Sequence, residues 1–166
     1  MAGLDSALKL AREGFRVFPL RGIVDGACTC GKPGCASPGK HPAIAGWQQA
    51  ATCDEATVKT MFAPYPSANV GIATGRGLIV VDLDGPEGLA ALEQWESKYG
   101  PLPPTRRVRT GRGLHLYFQC TEALSNSAGR IAPHVDIRGD GGYVVGPGSI
   151  HATGRIYEWE ALADDR

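Results

Sequence analysis

Judged by the spacing of its apolar positions, the chain begins in helix and ends in strands. Leu4, Ala7, Leu8 and Ala11 recur on one helical face and Gly14 supplies a stop, so LDSALKLAREG is predicted as a helix. FRVFPL then alternates as a strand does. From Arg21 to Gly46 no period survives among Gly, Pro, Cys and Lys residues, which predicts a long loop. A loop of that length inside a small domain needs a function or a pin. TCDEATVKTMF is predicted as a short helix, with Thr52 and Glu55 at the spacing of a capping box. NVGIAT and GLIVVDLD read as adjacent strands joined by the turn GRG. The helix PEGLAALEQWESKYG follows, with Leu89, Leu92, Trp95 and Tyr99 on one stripe and Gly100 at its end. After the break PLPP come five short strands: RRVRT, LHLYFQ, VDIRG, GYVVG and RIYEW. Helix and strand first, strands afterwards, argues for an α+β fold over a doubly wound sheet.

Composition narrows the picture. With 166 residues, 43% of them hydrophobic, the chain is one domain or two small lobes sharing a core, able to fold without staples. It has no run of about 20 apolar residues, and MAGLDSALKLAREG lacks the basic start and apolar middle of a signal peptide. No membrane partner and a cytoplasmic location are therefore expected. Formal net charge is zero, so a nucleic-acid partner has to be met by a local patch. TRRVRTGR, with Arg106, Arg107, Arg109 and Arg112, is either such a patch or a solvated face.

Five cysteines without an export signal argue against a disulfide framework, and three of them crowd into CTCGKPGCASPGKHP. Cys28, Cys30, Cys35 and His41 are the ligand set of a closed structural Zn²⁺ site, and the interleaved Gly and Pro residues let a short chain wrap a small ion. The one-residue spacing of the first two cysteines is tighter than usual. The alternative is a loop of reduced thiols with a surface histidine. Cys53 and Cys120 are expected in the core.

The strand GLIVVDLD ends in two carboxylates. Asp82 and Asp84 project to the same side, with backbone origins roughly 7 Å apart, and repel each other unless a cation, a hydrogen-bond array or a shared proton intervenes. A divalent ion answers this; so does a solvated strand end leading into a helix cap. In RTGRGLHLYFQ, a Gly-rich turn with arginines leads into a strand where His115 and Tyr117 share a face, a composition suited to phosphate oxygens. In HVDIRGDGG, Asp136 and Arg138 share a face and could simply pair, and Asp140 falls in a turn. Together, Asp82, Asp84 and Asp136 could hold two divalent ions, with His115, Arg112 and Arg138 holding a polyphosphate against them. That arrangement serves an in-line displacement at phosphorus.

An acid pair on a strand, then GLHLYF after a Gly-rich turn, then VDIRG, resembles motifs I, II and III of the archaeo-eukaryotic primase superfamily. More closely, GKHPAIAGWQQAAT, NVGIATGRGLIVVDLDG, GRGLHLYF and VDIRGDGGYVVGPGS together are similar to the bifunctional primase/polymerase (prim-pol) domain of phage, plasmid and prophage replication proteins. The likeness runs from Ala7 to about Trp159. It implies a DNA primase and polymerase acting from nucleoside triphosphates on a single-stranded DNA template and primer. It implies Mg²⁺ or Mn²⁺ at Asp82, Asp84 and Asp136, the incoming triphosphate at His115, phosphate contacts from Arg112 and Arg138, and a nucleotide or template contact from Lys40. The implied fold is one catalytic domain over 1–166. An N-terminal α/β lobe (1–75) carries the zinc loop (28–41), an RRM-like catalytic sheet (76–166) bears the acids, and the site lies in the cleft between them. A helicase module in a longer protein is the further partner the resemblance implies.

Two departures stand out. Motif II often has Ser two residues before its histidine, where this chain has Gly113. The chain also ends at ALADDR without the helical segment that aids initiation in some relatives, which puts primer extension ahead of priming from scratch. The rival readings are a haloacid-dehalogenase-type phosphatase with Asp82 as nucleophile, whose expected Thr is here Pro86, and a zinc-stabilised RRM-like nucleic-acid binder without catalysis.

Overall fold

The computed structural model describes residues 2–161; the ALADDR tail beyond Ala161 lies outside the described residues. The fold is α+β, with three antiparallel sheets. In chain order the elements are α1 (Ala2–Arg12), β1 (Val17–Leu20), β2 (Ile23–Val24), β3 (Ala27–Cys28), α2 (Trp47–Ala50), α3 (Glu55–Phe62) and β4 (Asn69–Ala73). Then follow β5 (Leu78–Leu83), α4 (Gly85–Tyr99), β6 (Arg106–Arg109), β7 (Leu114–Gln119), β8 (Ser127–Ala132), β9 (Val135–Arg138), β10 (Tyr143–Val145) and β11 (Glu158–Trp159). Contacts divide the chain into two units: one runs to Ala73 and takes up Tyr143–Tyr157, the other holds Thr74–Gly142 and the chain from Glu158 on.

In the first unit β4 is the central strand, ordered β1-β4-β10, with Val17 and Val144 opposite Ile72 on its two sides. The face carrying Val70 and Ile72 meets the helices, where Ala7, Leu10, Val58 and Phe62 are buried. Pro19 costs the sheet nothing because β1 is an edge strand. The segment expected to be pure loop contains the small hairpin β2–β3, and beyond it the chain is pinned by a bridge between Leu20 and Pro42 and by the Arg21 N–H donating to the His41 carbonyl (2.9 Å).

The second unit is a six-stranded sheet ordered β11-β6-β7-β5-β9-β8. Leu83, Leu114, Leu116 and Val135 form its core on one face, with Ala91 and Leu92 of α4 packed against them. The helix comes this close because of Gly88, where a Cβ would sit 2.7 Å from the His134 carbonyl oxygen and 3.2 Å from the Leu83 Cα.

Four local expectations are corrected. The α3 cap is Asp54, whose carboxylate accepts the Thr57 N–H (2.8 Å). Thr52 cannot serve, since its backbone is exchanged with Val17 as an extended bridge, and Glu55 is held by Arg12 (2.7 Å). β4 and β5 lie in different sheets, their link reduced to a bridge between Gly75 and Leu78. On α4 the inward side is Gly88, Ala91 and Leu92, whereas Leu89, Trp95 and Tyr99 are exposed, the last two in ring contact at 4.9 Å. Cys53 is exposed and Cys120 partly so, at a cap and past a strand end, and neither is a core residue. Strand β8, rich in Gly, Ala and Ser, carries no apolar alternation and was not expected.

Candidate functional site

Strand β5 brings the acidic constellation together because both its neighbours are antiparallel and in register at one residue. Asp82 faces His115 of β7 on one side and Asp136 of β9 on the other. Directly opposed residues share a face, so all three project away from the Leu83–Leu116 core. Asp82 is bracketed: one oxygen lies 3.3 Å from His115 Nε2, the other 3.6 Å from the Arg138 guanidinium. Arg138 also pairs with Asp136 at 2.8 Å, and the second Asp136 oxygen accepts the Gly129 N–H (2.9 Å). Two carboxylates thus converge on one cation, and at 17% and 19% side-chain exposure they are incompletely screened by water.

Asp84 lies one residue past β5 at the N-cap position of α4, exposed, its N–H donating to the His134 carbonyl (2.9 Å). Its side chain makes no capping bond, so the carboxylate is not committed to the helix. Arg112 is exposed in the turn between β6 and β7, which Thr110 closes by accepting the Gly113 N–H (2.8 Å). Lys40 belongs to the first unit; it is exposed, and its carbonyl accepts the Tyr143 hydroxyl (2.9 Å).

The turn before His115 explains the departure at Gly113. A Cβ there would fall 1.8 Å from the Leu83 carbonyl oxygen and 3.1 Å from the Gly85 nitrogen. The backbone between Asp82 and Asp84 is therefore packed directly against the turn, with no room for serine. Gly113→Ser is expected to destabilise the protein by about 1–3 kcal/mol, the usual cost of overpacking, read as a lowered urea midpoint. Because the displaced strand end carries Asp82 and Asp84, their placement should be disturbed along with the fold.

In the first unit, the donor atoms of Cys28, Cys30, Cys35 and His41 all lie within 4.8 Å of one another, a group that could hold a metal ion. Tetrahedral zinc, with Zn–S about 2.3 Å and Zn–N about 2.0–2.1 Å, puts sulfur and nitrogen about 3.5 Å apart. His41 Nε2 is 3.4 Å from Cys28 Sγ and 3.5 Å from Cys35 Sγ, so the donor set fits. Left-handed glycines at Gly31, Gly34 and Gly39 fold the short spacings around the centre. Burial pushes the Cys28 thiol up, but backbone N–H groups of Gly39 and Cys30 outweigh it and hold it below the usual thiol range. The Lys32 N–H lowers Cys30 in the same way. Cys35 receives the Ser37 N–H, yet burial and the neighbouring Cys30 and Cys28 sulfurs leave it raised. The neighbouring sulfurs oppose ionisation of all three thiols at once, and a bound cation would relieve that opposition.

None of the described helices is long and apolar enough to cross a membrane. Comparison with curated proteins returns no match. Comparison with protein families matches residues 7–164 to the bifunctional DNA primase/polymerase, N-terminal family. A match over nearly the whole chain, with the acid-bearing strand and its two partners inside it, establishes a primase/polymerase-type protein of the kind that binds DNA and nucleotides: the chain belongs to the Prim-Pol family.

Proposed function

We propose that the protein catalyses metal-dependent nucleotidyl transfer from a nucleoside triphosphate to a primer on a single-stranded DNA template, at the end of the six-stranded sheet where Asp82, Asp136 and His115 share a face. The observation that carries this reading is the register at Asp82, which sets one carboxylate between His115 and Asp136. Asp82, Asp84 and Asp136 would hold a Mg²⁺ or Mn²⁺ pair; the convergence of Asp82 and Asp136 on Arg138 fits a site that requires positive charge. Bound there, such ions supply Lewis-acid stabilisation of the attacking and leaving oxygens at phosphorus. His115, only 6% exposed, is held rigidly enough to orient the triphosphate, while Arg138 and Arg112 balance the charge of the departing pyrophosphate.

The order β6-β7-β5-β9, with α4 joining β5 to β6, supports an RRM-like catalytic lobe in the second unit. The first unit is then the N-terminal lobe with its Cys₃His loop, read as structural zinc. Incubation of the protein with labelled ribo- or deoxynucleotides and Mg²⁺ or Mn²⁺ is expected to extend a primed template. The same assay without primer measures priming. Absence of incorporation under all of these conditions removes the reading.

A further inference from the structure

One feature of the first unit is used by neither the acid site nor the metal loop. On the sheet face away from α1 and α3, the Phe18 ring lies across β4 at Gly71, where a Cβ would come within 2.5–2.9 Å of its ring carbons. Only glycine lets the ring lie so low. Trp47 stacks on Phe18 (centroids 4.6 Å apart, planes 22° apart), and Tyr143 meets both rings edge-on, at 5.4 and 4.9 Å. Trp47 opens the four-residue α2, which follows the left-handed Gly46 and contains no buried residue, and Trp47 itself stays partly exposed. A short helix without a fully buried residue, which sets one partly exposed indole on an aromatic pedestal, is placed to present that ring.

Lys40 is rooted beside it. The Tyr143 hydroxyl that flanks the indole also holds the Lys40 carbonyl (2.9 Å), and the preceding Gly39 carbonyl accepts from the buried Asn69 amide (2.9 Å). The next residue, His41, is both a donor of the Cys₃His cluster and an acceptor for the Arg21 N–H. The backbone of Lys40 is therefore fixed on both sides while its side chain is exposed.

We propose that Trp47 is a stacking shelf for a nucleobase of single-stranded DNA, with the Lys40 ammonium on an adjacent phosphate; this rests on the nucleotidyl-transfer reading above. Stacking suits a partner of unspecified sequence, since every base offers a π-face, and one cation beside the ring supplies the charge complement. The Cys₃His loop then acts on DNA indirectly, by holding the base of Lys40 in place.

The test is binding of a labelled oligothymidylate of about twelve nucleotides, a length within the usual single-strand site sizes. Trp47→Leu is expected to weaken binding roughly tenfold, in the range of one lost base–aromatic stack, while Trp47→Phe keeps most of the affinity. Lys40→Ala should lower the slope of log affinity against log salt by about 0.7, the value for one phosphate contact on a single strand, whereas Trp47→Leu leaves that slope unchanged. Folded Trp47→Leu protein that binds like the parent overturns the proposal. Should that variant fail to fold, a W95F/W159F protein, in which Trp47 is the sole indole, decides the matter. Saturating oligothymidylate quenches its fluorescence if a base stacks there, and unchanged emission with full binding overturns the shelf. If the W95F/W159F protein incorporates nucleotides and binds fully while its indole stays unquenched, the shelf alone is lost. One that binds with Trp47 quenched yet incorporates nothing keeps the shelf and loses the transferase reading.

Discussion

Asp82→Asn is expected to reduce nucleotide incorporation on a primed template by three powers of ten or more while leaving the protein folded. The magnitude follows from the several kcal/mol that a catalytic metal ion contributes, each 1.4 kcal/mol being about a factor of ten in rate. The substitution keeps the shape of the side chain in register between His115 and Asp136. It removes the carboxylate that answers Arg138 at 3.6 Å, but Arg138 retains Asp136 at 2.8 Å, so no cation is stranded. It also relieves the repulsion between two partly buried carboxylates, and the thermal midpoint should move by only a few degrees for a change of this size. The double Asp82→Ala, Asp84→Ala variant should be equally inactive. Measured by primer extension with circular dichroism alongside, activity retained in either variant would sink the assignment of the acids.

The second large effect concerns the cysteine loop. Elemental analysis of purified protein should find about one zinc per chain, as a closed four-ligand site requires. Removing it with a chelator, or replacing Cys30 by Ser, should lower stability by several kcal/mol, seen as an earlier thermal transition. Structural zinc contributes about 10–16 kcal/mol of apparent binding energy in small peptides, comparable to the whole stability of a domain. The loss would not stay local. His41 anchors Arg21 at the end of β1, and Gly39 is tied through Asn69 to β4 and to Ile150. The direction with pH is set by the thiols. Cys28 and Cys30 lie below the ordinary thiol range in the folded protein, so the stability they contribute is fully present above the unfolded thiol pKa and is lost as pH falls through the lowered values. Zinc binding should weaken on acidification and release protons on loading at neutral pH.

How much of this was legible beforehand depends on the range over which each feature is set. The helices α1 and α4, the strand β5 and the three short strands β6, β7 and β9 were readable from spacing. So were the faces of His115 with Tyr117 and of Asp136 with Arg138, because the alternation of side chains is a property of the local backbone. The cysteine loop announced itself by residue type alone. What the spacing missed was partnership. GRG between two strands reads as a hairpin, yet β4 and β5 go to separate sheets: Gly71 and Ile72 are claimed on both sides by β1 and β10, and β5 on both sides by β7 and β9. The cap of α3 moved from Thr52 to Asp54 for the same kind of reason, since a distant strand residue, Val17, took the backbone of Thr52. Nothing in the spacing singled out Trp47, whose place depends on a glycine two dozen residues further along.

Residue chemistry and strand alternation therefore determined which side chains this protein can offer: an acid pair at a strand end, a histidine and an acid–base pair each on a known face, and three thiols with an imidazole in one loop. Only the tertiary structure decided that Asp82 stands between His115 and Asp136, that Gly113 presses on the Leu83 carbonyl, and that four donors gather within 4.8 Å of one another. The division has a physical cause. Which way a side chain points is fixed within two residues by backbone geometry, whereas which strand lies beside it is fixed by burying apolar faces such as Leu83, Leu116 and Val135 against one another across fifty residues of chain.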